Sequence, residues 1–244
     1  MRPDTVIAWK WHPRADHADE KRYRFSGETV NTLFSMVRRH YAHPFRAVCV
    51  TDDGTGIDRS IEVMPLWDEY ADVPSPHGGR NPSCYRRLRL FHPDAAAWFG
   101  PRYVSLDLDV VVTGDLMALW DRPEDFVIWG DTNPLPGSHY NGSMMLMTAG
   151  CRTQVWDDFD PIASPRLSLK ARCFGSDQGW ISYRLGGGES KWTRADGVYS
   201  FRNEIASHPK RLPENAKLVV FHGENKPWSP YVKANCPWVN EAYK

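Results

Sequence analysis

Residues 103–112 of the chain read YVSLDLDVVV, an apolar run that is interrupted by two carboxylates, Asp107 and Asp109. In an extended strand, side chains two positions apart point to the same face. The pattern therefore predicts a buried strand with both aspartates on one face, at the rim of a sheet. Hard carboxylate oxygens are the ligands that Mn²⁺ and Mg²⁺ prefer, and such a cation can hold a diphosphate. The stretch predicts a divalent metal site at Asp107 and Asp109.

The composition of the chain narrows the class of protein. Its 244 residues suit one α/β domain or two small ones. Thirty basic and thirty acidic residues balance, so no overall field favours nucleic acid or an anionic membrane, although the basic stretch at residues 86–89 is a local exception. The five cysteines form no C-x-x-C pair, which argues against a disulfide framework or a structural zinc site. No apolar run approaches the about 18 residues of a membrane span, and we expect a cytoplasmic protein.

Segments with the period of a strand alternate along the chain with segments that have the period of a helix. One helix is predicted to begin at Ser26, a suitable N-cap that is followed by an apolar stripe at helical spacing. Strands are predicted at residues 5–9, 45–50, 61–65, 103–112, 126–129, 143–147 and 217–221, further helices at residues 83–91, 115–120 and 177–185, and loops at residues 14–24 and 71–82. The alternation predicts an α/β domain with a mixed sheet and a ligand at its carboxyl edge.

Four motifs occur in the same order as in a known family. They are YRRL at residues 85–88 followed by the Asp-x-Asp strand, YNGSMML at residues 140–146, SDQG at residues 176–179 and GENKPW at residues 223–228. Together they resemble the glycogenin-like retaining glycosyltransferases of the GT-A fold. The resemblance implies a GT-A (Rossmann-like) single domain over residues 1–244 with a mixed, mostly parallel central sheet. It also implies a nucleotide-binding half at residues 1–106, and a metal, sugar and acceptor half at residues 107–244.

The resemblance implies an activity as well as a fold. The protein would use Mn²⁺ or Mg²⁺ to transfer a sugar from a nucleotide-sugar donor, in this family a UDP-sugar, with retention at the anomeric carbon. Asp177 and Gln178 would lie at the face of the sugar as the catalytic residues, and Asn141 carries the amide that sugar hydroxyls require. The acceptor stays open between a saccharide, a lipid, a protein and a modified nucleic acid. The oligomeric state is open too.

Other polar residues are candidates for binding the nucleotide. Lys226, on a loop with Gly223, is a point charge suited to a leaving diphosphate. Arg86 and its neighbour Arg87 could each pair with phosphate, but one of two adjacent helical arginines should face solvent, and the sequence does not say which. Asp52 could accept a hydrogen bond from a base or ribose, or serve only in a turn.

One position departs from the family pattern. The histidine that ligates the metal in the family stands three residues before the loop glycine, where this chain has Val220. His222 directly precedes Gly223 instead. Either His222 reaches the metal through a shifted loop, or the metal is held by Asp107, Asp109, the diphosphate and water.

Two other classes of protein fit parts of the sequence. The run that contains Asp107 also matches the nucleophile motif of haloacid-dehalogenase-type phosphatases, with Asp131 as a later acidic residue, although that motif normally opens its domain. The eleven tryptophans and the basic stretch at residues 86–89 would suit a non-catalytic carbohydrate- or nucleic-acid-binding module.

Overall fold

The computed structural model of the protein describes residues 2–12, 25–76, 83–130 and 137–244. The predicted loop at residues 14–24, the end of the predicted loop at residues 71–82, and Asp131 lie outside these ranges. In the described part of the chain, no helix is both long enough and apolar enough to cross a membrane.

Ten strands form two sheets in the described ranges. The strands are β1 (Thr5–Lys10), β2 (Arg46–Thr51), β3 (Glu62–Pro65), β4 (Arg102–Leu106), β5 (Val110–Val112), β6 (Phe126–Gly130), β7 (Tyr140–Thr148), β8 (Ser190–Trp192), β9 (Val198–Ser200) and β10 (Leu218–Val220). Seven of them make the central sheet in the order β3-β2-β1-β4-β7-β6-β8. Only β7 runs against its neighbours β4 and β6, and the other pairs are parallel. The predicted single α/β domain with a mixed, mostly parallel sheet is confirmed.

Helices cover both faces of the central sheet. They are α1 (Gly27–His40), α2 (Ala95–Phe99), α3 (Met117–Trp120), α4 (Gln154–Asp157), α5 (Ala163–Lys170), α6 (Asp177–Leu185), α7 (Pro230–Asn235) and α8 (Pro237–Ala242), with 3₁₀ helices at Tyr85–Phe91 and Arg194–Asp196 and a π-helix at Phe201–Ile205. The Ser26 hydroxyl caps α1 by accepting from the Thr29 backbone N–H, and Val30, Leu33 and Phe34 of its apolar stripe are buried. The central strands β1, β4 and β6 are buried almost throughout, as expected for strands that are covered on both faces.

The chain bends between β4 and β5, at the two aspartates. β4 ends at Leu106 in the central sheet, and β5 begins at Val110 in a second sheet of order β5-β10-β9. The prediction of one strand through residues 103–112 is therefore wrong, and the alternation of strand side chains is not what brings the two carboxylates together. Pairing of β5 with β10, far away in the sequence, pulls the chain out of the central sheet after Leu106.

Candidate active site

The carboxyl ends of the parallel strands β1, β2 and β4 lie at one edge of the central sheet, and the antiparallel β7 begins there. At this edge the Asp107 backbone N–H donates to the Ser143 carbonyl at 2.9 Å, and the Ser143 hydroxyl donates to Asp107 Oδ2 at 2.7 Å. Asn141 Oδ1 accepts from the Ser143 backbone N–H at 2.9 Å. The start of β7 thus fixes one oxygen of the Asp107 carboxylate, and Asn141 supports that start.

Arg87 joins Asp107 to Asp177. Its Nε and Nη2 donate to Asp177 Oδ2 at 2.8 and 2.7 Å, and its Nη1 donates to Asp107 Oδ1. The Arg87 and Asp177 side chains are only 5% and 3% exposed, and that of Asp107 is 28% exposed. Burial disfavours the charged guanidinium, but Asp107 and Asp177 outweigh it and raise the pKa of Arg87. We call these three residues the Arg87 cluster.

Of the two candidate arginines between which the sequence did not decide, Arg86 and Arg87, it is Arg87 that contacts the other residues of the candidate site. Consecutive residues of a 3₁₀ helix point about 120° apart, so only one of the pair can reach the cluster. Arg86 Nη2 instead approaches Asp68 at 3.6 Å, and the Arg86 carbonyl accepts from the Trp67 indole.

Gly142 allows the Arg87 cluster to form. A Cβ atom at Gly142 would lie 2.9 Å from Arg87 Nη2 and 3.3 Å from Asp177 Oδ2. The Gly142 backbone N–H points at Gln178 Oε1 at 3.4 Å, so Gln178 lies beside the cluster. Gly142 was not predicted as a site residue, although a glycine inside a strand indicates close approach by another group.

Burial shifts the pKa values of two groups at the site, the Asp107 carboxyl and the Tyr243 hydroxyl. Burial raises the pKa of the Asp107 carboxyl, Arg87 opposes this shift, and Asp109 adds to it. Burial also raises the pKa of the Tyr243 hydroxyl, with Asp109 and Glu28 adding to that shift. The negative charge of Asp109 thus acts on the Asp107 carboxyl across the bend between β4 and β5.

Lys226 is paired with Asp109. Lys226 Nζ donates to Asp109 Oδ2 and, at 3.3 Å, to the Phe221 carbonyl. The Lys226 residue is 6% exposed, and its backbone N–H donates to Ser229 Oγ at 3.1 Å. The positively charged side chain of Lys226 therefore lies at the candidate site, where its partner is the Asp109 carboxylate.

His222 does not join Asp107 and Asp109 in a metal site. His222 Nε2 lies 2.7 Å from Ser200 Oγ, and its ring lies 6.0 Å from that of Trp129. Among the described residues, no group of three or more His, Cys, Asp or Glu side chains could hold a metal ion. The loop turns at Gly223, whose φ of 102° lies in the left-handed region.

Asp52 belongs to another polar group, at the ends of β1 and β2. Asp52 Oδ2 accepts from the His12 backbone N–H at 2.9 Å, and His12 Nδ1 lies 3.2 Å from Asp52 Oδ1. The neighbouring Asp53 lies 3.3 Å from Lys10 Nζ, and Thr55 lowers the pKa of the Asp53 carboxyl to about 2 through its hydrogen bonds, with a smaller effect of Lys10. This group lies at the same sheet edge as the Arg87 cluster.

No protein-family model matches the sequence, and neither does any curated protein sequence. Solved structures do match the fold. Galactosyltransferase LgtC, solved with donor and acceptor sugar analogues, is 13% identical with a TM-score of 0.62, over 98% of this chain and 96% of LgtC. Glycosyltransferase GlyE of Streptococcus pneumoniae TIGR4 is 13% identical with a TM-score of 0.58, over 96% of this chain and 60% of GlyE. Mouse xyloside xylosyltransferase 1 is 14% identical with a TM-score of 0.52, over 89% of this chain and 97% of the xylosyltransferase. The chain has the GT-A glycosyltransferase fold.

Proposed function

We propose that the protein is a metal-dependent glycosyltransferase that transfers a sugar from a UDP-sugar to an acceptor, with retention at the anomeric carbon. The observation that carries the proposal is the set of paired charges at the edge of a GT-A sheet, with Arg87 between Asp107 and Asp177, and Lys226 on Asp109. Charges this deeply buried are costly unless they are paired. Perturbed, buried charges at the carboxyl edge of such a sheet are typical of functional sites.

Asp107 and Asp109 would suit a divalent cation whose coordination is completed by the phosphates of the substrate. Mg²⁺ is commonly held by one or two carboxylates together with substrate phosphates, so a third protein ligand is not required. Three carboxylates, Asp107, Asp109 and Asp177, face two cations, Arg87 and Lys226, which leaves one net negative charge. A bound Mn²⁺ or Mg²⁺ would neutralise the charge that develops on the leaving diphosphate.

Lys226 and Arg87 have different parts in the proposed reaction. Lys226 pairs with Asp109 and with no other carboxylate of the described residues, so its ammonium group is the candidate for neutralising a diphosphate oxygen. Arg87 donates to two carboxylates at once and keeps Asp107 and Asp177 in place. Gln178 is the candidate for contact with the sugar, because its amide lies next to the cluster and retains hydrogen-bonding capacity.

Retention is proposed to follow a front-face route without a covalent intermediate. Asp177 Oδ2 already accepts two N–H groups of Arg87, and the residue is 2% exposed, which makes it a poor nucleophile. The amide of Gln178 is a weak nucleophile by its chemistry. The leaving diphosphate oxygen would then take the proton of the acceptor hydroxyl, on the same face of the sugar, and nearby amide and carboxylate oxygens would stabilise the cationic sugar.

The other two classes of protein receive less support. In a haloacid-dehalogenase-type phosphatase the strand that ends in the nucleophilic aspartate normally opens the domain. Asp107 instead follows the fourth strand of the described residues, β4. A non-catalytic binding module would not need Lys226 buried against Asp109.

The test is release of UDP from a panel of UDP-sugars, with water or an added saccharide as acceptor. We expect release with Mn²⁺ for at least one donor, and loss of release with EDTA or in Asp109→Asn. The matched control is Asp125→Asn, because Asp125 pairs with Arg152 away from the site. Release that is unaffected by both EDTA and Asp109→Asn would refute metal dependence, and release of phosphate from phosphomonoesters would favour the phosphatase.

A further inference from the structure

A cleft of about 650 Å³ lies between the start of α1, the loop after Lys226 and the C-terminal helices α7 and α8. Its volume is within the range of about 300–1,000 Å³ that is usual for small-ligand sites. The described residues that line it include no member of the Arg87 cluster, and neither Asp109 nor Lys226, so it is separate from the candidate site. We call it the α1–α8 cleft, and six side chains of its lining decide what it can bind: Glu28, Thr32, Trp228, Lys233, Asn240 and Tyr243.

Two aromatic side chains form the apolar part of the cleft. The rings of Trp228 and Tyr243 lie 6.1 Å apart at an interplanar angle of 40°, and both residues are partly exposed. Phe25 packs against Trp228 in a T-shaped contact at 5.7 Å and supports it. The C–H groups of a sugar ring carry partial positive charge and pack well on the negative face of an aromatic ring. The pair is therefore suited to a ring-shaped ligand with an apolar face.

The polar groups around the cleft keep hydrogen-bonding capacity. Asn240 Nδ2 donates to the Lys233 carbonyl at 2.8 Å, which leaves the amide oxygen of Asn240 for a ligand. Five side chains of the lining make no hydrogen bond to any described residue: Glu28, Thr32, Trp228, Lys233 and Tyr243. They comprise a carboxylate, two hydroxyls, an indole N–H and an ammonium group, so the cleft offers donors and acceptors together. A ligand with several hydroxyl groups can use both kinds.

The charges at the cleft have both signs. Glu28 belongs to α1, whereas Lys233 and Lys244 belong to the C-terminal segment that faces it. A phosphate would be attracted by the lysines but repelled by Glu28, while a hydroxyl can accept from an ammonium group and donate to a carboxylate. Burial raises the pKa of the Tyr243 hydroxyl, and Asp109 and Glu28 add to the shift. This hydroxyl therefore stays protonated and can donate to a ligand.

We propose that the α1–α8 cleft binds a neutral saccharide. A sugar combines an apolar C–H face with a rim of hydroxyl groups, which are the two properties that the lining complements. A wholly apolar ligand would leave the polar groups of the cleft without partners, which is costly once water is excluded. A nucleotide could stack its base on the aromatic pair, but its phosphates would approach Glu28. Saccharide binding at the cleft needs neither a metal nor a nucleotide sugar, so it is independent of the proposed function.

The cleft adjoins the loop that carries Lys226. Lys226 Nζ contacts Asp109, and the backbone N–H and carbonyl of Lys226 form hydrogen bonds with Ser229 Oγ at 3.1 and 2.6 Å. Trp228 lies within this short turn and lines the cleft. A saccharide that packs on Trp228 would therefore restrain the loop that positions Lys226.

The test is saturation-transfer difference NMR of the full chain with lactose, maltose, cellobiose and chitobiose, in the absence of metal and nucleotide. We expect magnetisation transfer to the ring C–H protons of at least one disaccharide. The variant with Glu28→Ala and Thr32→Val should bind it about tenfold more weakly, because two hydrogen bonds are lost. Trp228→Ala should abolish the transfer, because the aromatic platform is removed.

Two matched variants keep this test specific. Tyr183→Ala removes an exposed aromatic side chain on α6, and Glu241→Ala removes an exposed carboxylate on α8, and neither residue lines the cleft. Both variants should bind the disaccharide as the parent chain does. If Trp228→Ala does not fold, as judged by circular dichroism, the variant with Glu28→Ala and Thr32→Val decides alone.

Three results would contradict saccharide binding at the cleft. They are no transfer to any of the four disaccharides, equal losses in the matched variants, and competition by UDP together with loss of UDP binding in the variant with Glu28→Ala and Thr32→Val. The last result would assign the cleft to a nucleotide.

Discussion

Two arginines of this protein each bridge two carboxylates, one inside the candidate site and one at the surface. Arg87 joins Asp107 and Asp177 with a side chain that is 5% exposed. Arg152 joins Asp125 and Glu189 at 2.8 Å each, but its side chain is 26% exposed and that of Asp125 is 55% exposed. Arg87 makes three contacts with its carboxylates and Arg152 makes four, so the more exposed bridge has the larger number of hydrogen bonds.

From this difference we expect burial, and not the number of hydrogen bonds, to determine how much such a bridge contributes to the stability of the folded state. At the surface, water takes over the partners of a lost arginine, so an exposed ion pair contributes little. In the interior, loss of Arg87 would leave two carboxylates without a counter-charge, which is far more costly. The residues of the candidate site are thus also residues on which the fold depends.

The largest effect is expected from Arg87→Ala. It should lower the free energy of unfolding by about 3–5 kcal/mol, because Asp107 and Asp177 stay buried without their cation. The measurement is urea denaturation followed by tryptophan fluorescence. Arg87→Lys should recover little of the loss, since one ammonium group does not reproduce the fork of the guanidinium.

The matched variant is Arg152→Ala, which removes the same bridge at the surface. It should cost about 1 kcal/mol or less, and the cost should shrink further in high salt. Equal losses for Arg87→Ala and Arg152→Ala would contradict the role assigned to burial.

A smaller effect, on turnover, is expected from Lys226→Ala. If Lys226 neutralises the leaving diphosphate, the variant should lose about a hundredfold in kcat while UDP binding changes much less, because the leaving charge is greatest in the transition state. The measurement is steady-state UDP release beside calorimetric binding of UDP with Mn²⁺. Lys210→Ala, at an exposed lysine, is the control. A proportional loss in binding and turnover would assign Lys226 to ground-state binding alone.

Gly142→Ala tests how tightly Arg87 is held. The added Cβ would lie 2.9 Å from Arg87 Nη2, and the guanidinium is restrained by two carboxylates, so we expect a loss of about 2 kcal/mol in the free energy of unfolding. Gly188→Ala is the matched control, because no atom of the described residues lies within 4 Å of a Cβ at that position. If Gly142→Ala leaves the free energy of unfolding unchanged, the side chains of the Arg87 cluster move aside at little cost.

The smallest effect is expected from Asp53→Asn, at a partly buried carboxylate near β1 and β2. Hydrogen bonds from Thr55, and to a smaller extent Lys10, lower the pKa of the Asp53 carboxyl to about 2. A carboxyl with a lowered pKa stabilises the folded state above its ordinary pKa and loses this contribution as the pH falls towards 2. Thermal unfolding between pH 5 and pH 2 should therefore be less dependent on pH in Asp53→Asn than in the parent chain. If the pH dependence of thermal unfolding is the same in Asp53→Asn and in the parent chain, the lowered pKa of the Asp53 carboxyl is refuted.

Local sequence signals predicted the elements that local physics determines. Ser26 and the apolar stripe after it predicted α1, since a cap and a helical period depend on neighbouring residues only. Long-range pairing was beyond such signals. The bend at Asp107 exists because β5 pairs with β10. The residues around Asp107 contain no signal for this pairing, because β10 lies far away in the sequence.

The same limit applies to the candidate site. The motifs predicted which segments supply it. The choice between Arg86 and Arg87 depends on the 3₁₀ geometry of Tyr85–Phe91, and the sequence pattern there predicted only a helix. Lys226 was predicted as a partner of phosphate, and its contact with Asp109 depends on the path of the chain after β10.

The reversal of β7 has a consequence for how the chain can be divided. Because β7 runs against β4, the last strand before Asp107 pairs with a strand from the later half of the chain, and Arg87 reaches across the same boundary. A cut after Leu106 would expose an unpaired strand edge on both fragments and separate the arginine from both acids, and such edges promote aggregation. The two halves of this chain therefore constitute one cooperative folding unit, which is expected to melt in a single transition.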